Sequence, residues 1–153
     1  MSQQASYIAE LRRSGDFSRL LAAIPYARYL GLSVEVVDGD PVTKLGADRK
    51  LVGNPVLVAL HGGTVGALLE SAAIFKLLWE GSSTAVPKTI NITVDYLRSG
   101  RATRDTFARA VITKHGRRVA NVQVRAWQVD ESKPIAAAHA HFLLKTESAS
   151  APP

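Results

Sequence analysis

Hydrophobic and polar positions follow two different rhythms along the chain. Between Thr64 and Trp79 nearly every residue is small or apolar, the exceptions being Thr64, Glu70, Ser71 and Lys76, and Gly62-Gly63 and Gly81-Ser82-Ser83 bound the run. This pattern predicts a helix from about Gly63 to Trp79, and a helix apolar on every side has to be covered on every side. From Thr89 the rhythm becomes alternation. Ile90, Ile92, Val94 and Tyr96 share one face of a strand over Thr89–Leu97, with Asn91, Thr93 and Asp95 on the other. Thr106–Lys114, Arg118–Val129 and Ile135–Lys145 read as three more strands. His115-Gly116 suits a hairpin turn and Asp130–Pro134 a longer one, so these strands are expected as antiparallel neighbours.

The first half is more broken. Ser2–Arg13 reads as a polar helix, and Phe17–Leu30 as a second helical stretch interrupted at Pro25 and stopped by Gly31. Leu32–Val37 and Val42–Leu45 are short strands around Asp38-Gly39-Asp40-Pro41, and Gly53-Asn54-Pro55 opens a loop that leads into the apolar helix. Thr146–Pro153, small, polar and proline-ended, reads as a disordered tail. The order of elements predicts an α+β fold with helices gathered on one face of an antiparallel sheet. The simplest cover for the apolar helix is a curved sheet wrapped around it, with a second subunit over the remainder. At 153 residues and 46% apolar content the chain suits one domain, divided here into a helical segment (1–24), a main domain (25–145) and the tail (146–153).

The absence of cysteine excludes disulfides, thiolate zinc sites and cysteine nucleophiles. Met1–Arg12 lacks the apolar core of a signal peptide, and no run approaches the ~18–20 apolar residues of a membrane span, so a cytoplasmic location with no membrane partner is expected. A net charge of +6 favours an anionic partner. The positive charge gathers at two turns, Arg98, Arg101 and Arg104 in one and Lys114, His115, Arg117 and Arg118 in the other. With no recognition helix and no series of exposed aromatics beside it, nucleic acid is not the expected partner. His139 and His141 face the same way on a strand but have no third ligand, which speaks against a metal site. Asp95 reads as an ion-pair or strand-end residue and Tyr96 as core.

Glu70 is the unusual residue. A carboxylate among small and apolar neighbours costs several kcal/mol of lost hydration unless something compensates it. Gly63, Gly66, Ala67 and Glu70 stand at spacings of three, four and seven, so they share one helix face on which the residues before the carboxylate have almost no side chain. Gly62 and Gly63 open the helix, where backbone N–H groups lack partners and carry the positive end of the dipole, a place suited to a developing oxyanion. Glu70, about two turns on, would then serve as base or nucleophile at the same site. On the residues alone a second explanation stands beside this one: glycines that permit close packing, and a carboxylate paired with an arginine at an interface.

His61-Gly62-Gly63 followed by Glu70, with Gly53-Asn54-Pro55 upstream and Val94-Asp95-Tyr96-Leu97-Arg98 downstream, resembles the hotdog-fold thioesterases of the phenylacetate-pathway type, within the 4-hydroxybenzoyl-CoA thioesterase-like superfamily. The resemblance runs from about Pro25 to Leu144. It implies a hotdog fold and hydrolysis of acyl- or aroyl-CoA by water, with no metal or redox cofactor. It further implies that Glu70 attacks the thioester carbonyl or activates water, that the Gly63 N–H polarises that carbonyl, and that His61 orders the loop and the acyl carbonyl. The family's upstream amide residue most nearly matches Asn54, which stands seven residues before the histidine where six is usual. Where many members have Ser or Thr one turn after the acid, this chain has Ile74. Arg98, Arg101, Arg117 and Arg118 are the expected holders of the coenzyme A phosphates, with ordinary solvation of surface turns as the other explanation of their charge. An obligate homodimer, paired again into a homotetramer, is expected, with Glu70 of one chain facing His61, Gly63 or Asn54 of another. A hotdog hydratase or dehydratase and a non-catalytic acyl-CoA-binding hotdog protein are the alternatives, the second made plausible by Ile74.

Overall fold

A computed structural model describes residues 3–145; the tail expected at 146–153 lies outside them. Three short helices open the chain: α1 (Gln3–Ser14), α2 (Ser18–Ala23) and α3 (Pro25–Leu30). Pro25 divides the last two by sitting at the first turn of α3, where its missing N–H costs nothing, and Gly31 ends α3 in the left-handed conformation with φ 69°. Strands β1 (Leu32–Val37) and β2 (Asp40–Leu45) form a hairpin whose two turn residues, Asp38 and Gly39, both have positive φ. A 3-10 turn (Arg49–Leu51) and two short strands, β3 (Val52–Asn54) and β4 (Ala59–Leu60), lead into the 19-residue helix α4 (Gly62–Glu80). Strands β5 (Lys88–Tyr96), β6 (Thr106–His115), β7 (Val119–Trp127) and β8 (Ala136–Leu143) complete the fold.

Six strands make one antiparallel sheet in the order β1-β2-β6-β7-β8-β5. Helix α4 packs against it, burying Leu68, Leu69, Ala72, Phe75 and Leu78. The face it meets is rich in alanine: Ala108, Ala110, Ala120, Ala126, Ala138 and Ala140 are all buried, which lets a thick apolar helix lie close to the strands. This is the hotdog arrangement, a sheet wrapped on a central helix. Ile8, Leu11, Phe17 and Leu20 of the N-terminal segment enter the same core, and the Phe17 ring meets Phe75 edge-on at 5.9 Å. No helix among the described residues is long and apolar enough to cross a membrane.

Two features depart from the simple pattern. The segment before α4 is not a bare loop: β3 pairs with β4, and the stretch between them is tied to the turn after β5 through Arg101 and Ala102. In β5 the register shifts between Thr89 and Asn91, so that Ile90 is an extra residue. Thr89 therefore faces the same way as Ile92, Val94 and Tyr96, opposite the inward residues Phe142, Ala140, Ala138 and Ala136 of β8, while Ile90 is exposed.

The C-terminal end of α4 is closed by partners. The Arg12 guanidinium donates to the Leu78 carbonyl in the last turn at 2.7 Å, an acceptor that a helix end leaves free, and to the carbonyls of Ser82 at 3.0 Å and Ser83 at 2.6 Å in the segment beyond. Lys76, 5% exposed, lies between the carboxylates of Asp40 and Glu80, and Trp79 Nε1 donates to Gly39 O at 3.0 Å. Helix α4 and the β1–β2 hairpin are thereby joined.

Candidate active site

The other end of α4 is built differently. His61 is its N-cap: the His61 carbonyl accepts from the N–H groups of Thr64 and Val65, and its Nδ1 accepts from the Gly63 N–H at 2.9 Å. Its own N–H donates to Leu51 O at 2.9 Å. Strand β3 lies directly against it, since a Cβ on Gly53 would fall 2.6 Å from His61 Cα. Only glycine fits there. Gly63, named from the motif as the carbonyl-polarising donor, thus has its N–H engaged by His61, whereas the Gly62 N–H has no partner among the described residues. The open donor is one residue earlier.

Asn54 is exposed, and its Oδ1 accepts from the N–H groups of Val56 at 3.0 Å and Leu57 at 3.2 Å, so it closes its own turn. This loop is supported within its own chain. Arg101 Nη1 donates to Leu57 O at 2.6 Å, Ala102 N–H to Val58 O at 2.9 Å, and Leu60 N–H to Gly100 O at 2.8 Å. Between these ties Val58 has φ 51°, a left-handed conformation that costs a β-branched residue about 1–3 kcal/mol and persists because its surroundings hold it.

Tyr96 is not a core residue. It is 57% exposed, its hydroxyl donates to Gly62 O at 2.7 Å, and its ring lies 3.3–3.4 Å from where a Gly62 Cβ would stand. The small residues of the glycine face therefore make room for an aromatic ring of the same chain.

Glu70 is half-buried on that face, and Thr89 Oγ1 donates to its Oε1 at 2.6 Å. No lysine or arginine among the described residues forms an ion pair with it, so an arginine of its own chain does not explain the carboxylate. The hydroxyl that meets Glu70 comes from β5, not from the position of Ile74. Gly63, Gly66, Ala67, Glu70 and Ile74 form a stripe along α4 that the chain itself leaves half-buried or exposed. Gly62 and Glu70 share this side, but a rise of 1.5 Å per residue puts them about 12 Å apart along the axis.

The four arginines divide between the two ends of the helix. Arg98 donates to Pro134 O at 2.7 Å and, with Tyr96, Gly62, Leu60, Val65 and Ile135, lines a recess of about 180 Å³ beside the helix start. Arg101 is committed to Leu57. Arg117 and Arg118 occupy the β6–β7 hairpin and are exposed. Arg117 lines a larger cavity of about 480 Å³ at the far end of α4, with His115 and Lys145 and an apolar floor that includes Leu77, Leu78 and Leu144. Of the two histidines on β8, His139 is exposed and His141 Nδ1 lies 2.6 Å from Asn91 Oδ1.

Two residues of this site, Thr89 and Tyr96, escape a reading by pattern. Strict alternation sends Thr89 outward with Asn91, and only the extra residue at Ile90 turns it toward Glu70. Tyr96 falls on the apolar side of the alternation, where an aromatic reads as core, yet it ends an edge strand beside glycines that leave space for it.

Comparison with known proteins places this geometry. Residues 54–148 match the family model of the acyl-CoA thioesterase N-terminal domain, well over half of the chain. The chain belongs to the acyl-CoA thioesterase family. Its fold is close to that of a Chromobacterium violaceum protein, 39% identical over 93% of this chain and 98% of that one, with a TM-score of 0.75. A phenylacetic acid degradation-related protein from Ralstonia eutropha JMP134 is 28% identical over 84% of this chain and 98% of that one, with a TM-score of 0.71. The E. coli PaaI protein of the phenylacetic acid degradation operon, 19% identical over 94% of this chain and 100% of that one, shares the fold with a TM-score of 0.71. No curated protein matches the chain in sequence. The family match stands beside a fold in which Glu70 lies on a half-buried stripe of α4 and Tyr96 lies over the helix start.

Proposed function

We propose that the protein hydrolyses the thioester of an acyl-coenzyme A, with Glu70 as base or nucleophile and the Gly62 N–H as the donor that receives the carbonyl oxygen. The observation that carries this is the Glu70–Thr89 pair: a carboxylate with no cation partner among the described residues, held by one hydroxyl beside the half-buried stripe of α4. With Oε1 fixed by Thr89, the remaining lone pairs are available to a water or to the carbonyl carbon. As charge develops on the carbonyl oxygen, the Gly62 N–H and the positive end of α4 stabilise it. With Glu70 as base, it takes a proton from water as the water oxygen forms the new C–O bond, the C–S bond breaks, and that proton passes to the departing thiolate of coenzyme A; with Glu70 as nucleophile, its oxygen forms the C–O bond as the C–S bond breaks, and water then cleaves the acyl–Glu70 anhydride, freeing the acid, restoring the carboxylate and supplying the proton of the thiol. His61, with Nδ1 engaged, presents Nε2–H as a second donor at the helix start, and Asn54 shapes the adjacent turn.

A reacting carbonyl needs its donor and its base each within about 3 Å. About 12 Å between Gly62 and Glu70 of one chain argues that two chains complete one site. Among the described residues strand β5 is an edge of the sheet, and Ile90, Tyr96 and Leu97 are exposed along or beside it. Pairing two such edges about a twofold axis continues the sheet and lays two α4 helices side by side and antiparallel, with Gly62 of one protomer toward Glu70 of the other. Sedimentation at micromolar concentration should give a dimer or larger assembly; a folded, active monomer contradicts this.

The cavity bordered by His115, Arg117 and Lys145, with Arg118 on the same hairpin, suits the phosphates of coenzyme A, and Arg98 borders the recess beside the helix start. Incubating the purified protein with a panel of acyl-CoA esters and a thiol reagent tests the reading. Release of free thiol supports it; hydrated or dehydrated acyl-CoA, or binding without turnover, overturns it.

A further inference from the structure

Two hydrogen bonds at the start of α4 meet on one peptide group. The Tyr96 hydroxyl donates to Gly62 O at 2.7 Å, and the N–H of the same peptide unit, on Gly63, donates to His61 Nδ1 at 2.9 Å. We propose that Tyr96 is a positioning residue that acts through the Gly62–Gly63 peptide to hold the His61 imidazole with Nδ1 bare and Nε2 carrying the proton.

A donor on a peptide oxygen draws electron density from the nitrogen and makes the N–H a stronger donor, so bonds in such a chain strengthen one another. A stronger Gly63 N–H favours the His61 tautomer that accepts at Nδ1, and that tautomer necessarily presents a proton at Nε2. The imidazole is fixed from the other side as well, because Gly53 leaves no room for a side chain against it and the His61 N–H is tied to Leu51 O. The ring is thus held in one orientation while Nε2 has no partner among the described residues. The same Tyr96 ring covers Gly62, with its hydroxyl 3.7 Å from where a Gly66 Cβ would stand. This accounts for an exposed tyrosine at the end of β5: it lies over Gly62 and beside Gly66, where the helix face has no side chains, and links that face to the histidine. The kinetic consequence rests on the thioesterase reading; the hydrogen-bonded relay does not.

The test is Tyr96→Phe in the full chain, which keeps the ring and removes the hydroxyl. With 15N-labelled histidine at a pH where imidazoles are neutral, the parent protein should show His61 Nδ1 as an unprotonated, hydrogen-bonded nitrogen and Nε2 as a protonated one, assigned by the peaks lost in His61→Gln. In Tyr96→Phe the His61 nitrogens should move toward the values of free imidazole, and the Gly63 amide proton should move upfield as its bond weakens. Loss of one such bond should lower kcat about 2- to 10-fold with KM little changed. Unchanged His61 nitrogen and Gly63 amide signals in a folded Tyr96→Phe protein overturn the relay, whatever happens to kcat. If the signals move but the parent protein has no thioesterase activity, the relay stands and the functional reading fails.

Discussion

The two ends of α4 have the same neighbours in kind, a hairpin, a turn and an arginine, but use them in opposite ways. At the C-terminal end Arg12 satisfies three carbonyls, Lys76 is clasped by two carboxylates and Trp79 is bonded to the β1–β2 turn. At the N-terminal end the ties fix the backbone and the histidine ring, yet the Gly62 N–H and His61 Nε2 have no partner among the described residues, beside a stripe of glycine, alanine and one carboxylate. One end spends its polar groups on stability; the other holds them in place without using them up. The one helix joins the two, each end held by its own local bonds.

Removing the Lys76 cation should break the closed end. Lys76→Ala leaves Asp40 and Glu80 facing each other, and because both carboxylates are partly exposed the cost should be about 2 kcal/mol, below the usual range for a fully buried pair. Urea unfolding reads this as a lower midpoint, and kcat of the folded protein should be unchanged. Burial works against the Lys76 charge, but hydrogen bonds and attraction from Asp40 and Glu80 outweigh it and hold the ammonium above its usual value. The stabilisation is therefore full below the unfolded pKa of about 10.4 and is lost as pH rises through the folded one.

A smaller effect, confined to the open end, is expected for Thr89→Val. Losing the bond to Glu70 should lower kcat about 10-fold with little change in melting temperature, and Thr89→Ser should keep most of the rate. Equal kcat for Thr89→Val and the parent protein would detach Thr89 from the chemistry.

The smallest effect belongs to Arg117→Glu. Attraction that is the same in ground and transition states affects KM and not kcat, so KM should rise a few-fold at low salt. Raising the ionic strength should reproduce the trend in the parent protein, while an acyl-pantetheine without the nucleotide should be indifferent. Equal KM for variant and parent makes this hairpin an ordinary solvated turn.

Much of the fold is legible in the sequence because its periods are clean. The apolar run over α4, the alternation in β6, β7 and β8, and the stops at Pro25 and Gly31 each correspond to an element within a residue or two of its expected bounds. The motif brings His61, both glycines and Glu70 onto one helix as read. What stays hidden depends on contacts remote in sequence or on a break in phase. The extra residue at Ile90 reverses the facing of Thr89, β3 and β4 are too short to show a period, and the choice of Gly62 over Gly63 as the open donor is made by the His61 ring. The pairing of Lys76 with Asp40 is likewise invisible until the β1–β2 hairpin folds onto α4.

The most direct measurement is the rate of thioester hydrolysis by Glu70→Gln, with the best substrate from the acyl-CoA panel and with folding checked by thermal melting. Gln keeps the size of the side chain and a group able to accept from Thr89, but it cannot take a proton or attack as a carboxylate. A fall in kcat of at least ~10²-fold with an unchanged melting temperature is expected. A well-folded Glu70→Gln protein that hydrolyses the same acyl-CoA at the parent rate contradicts the assignment of the open end of α4 as the active site.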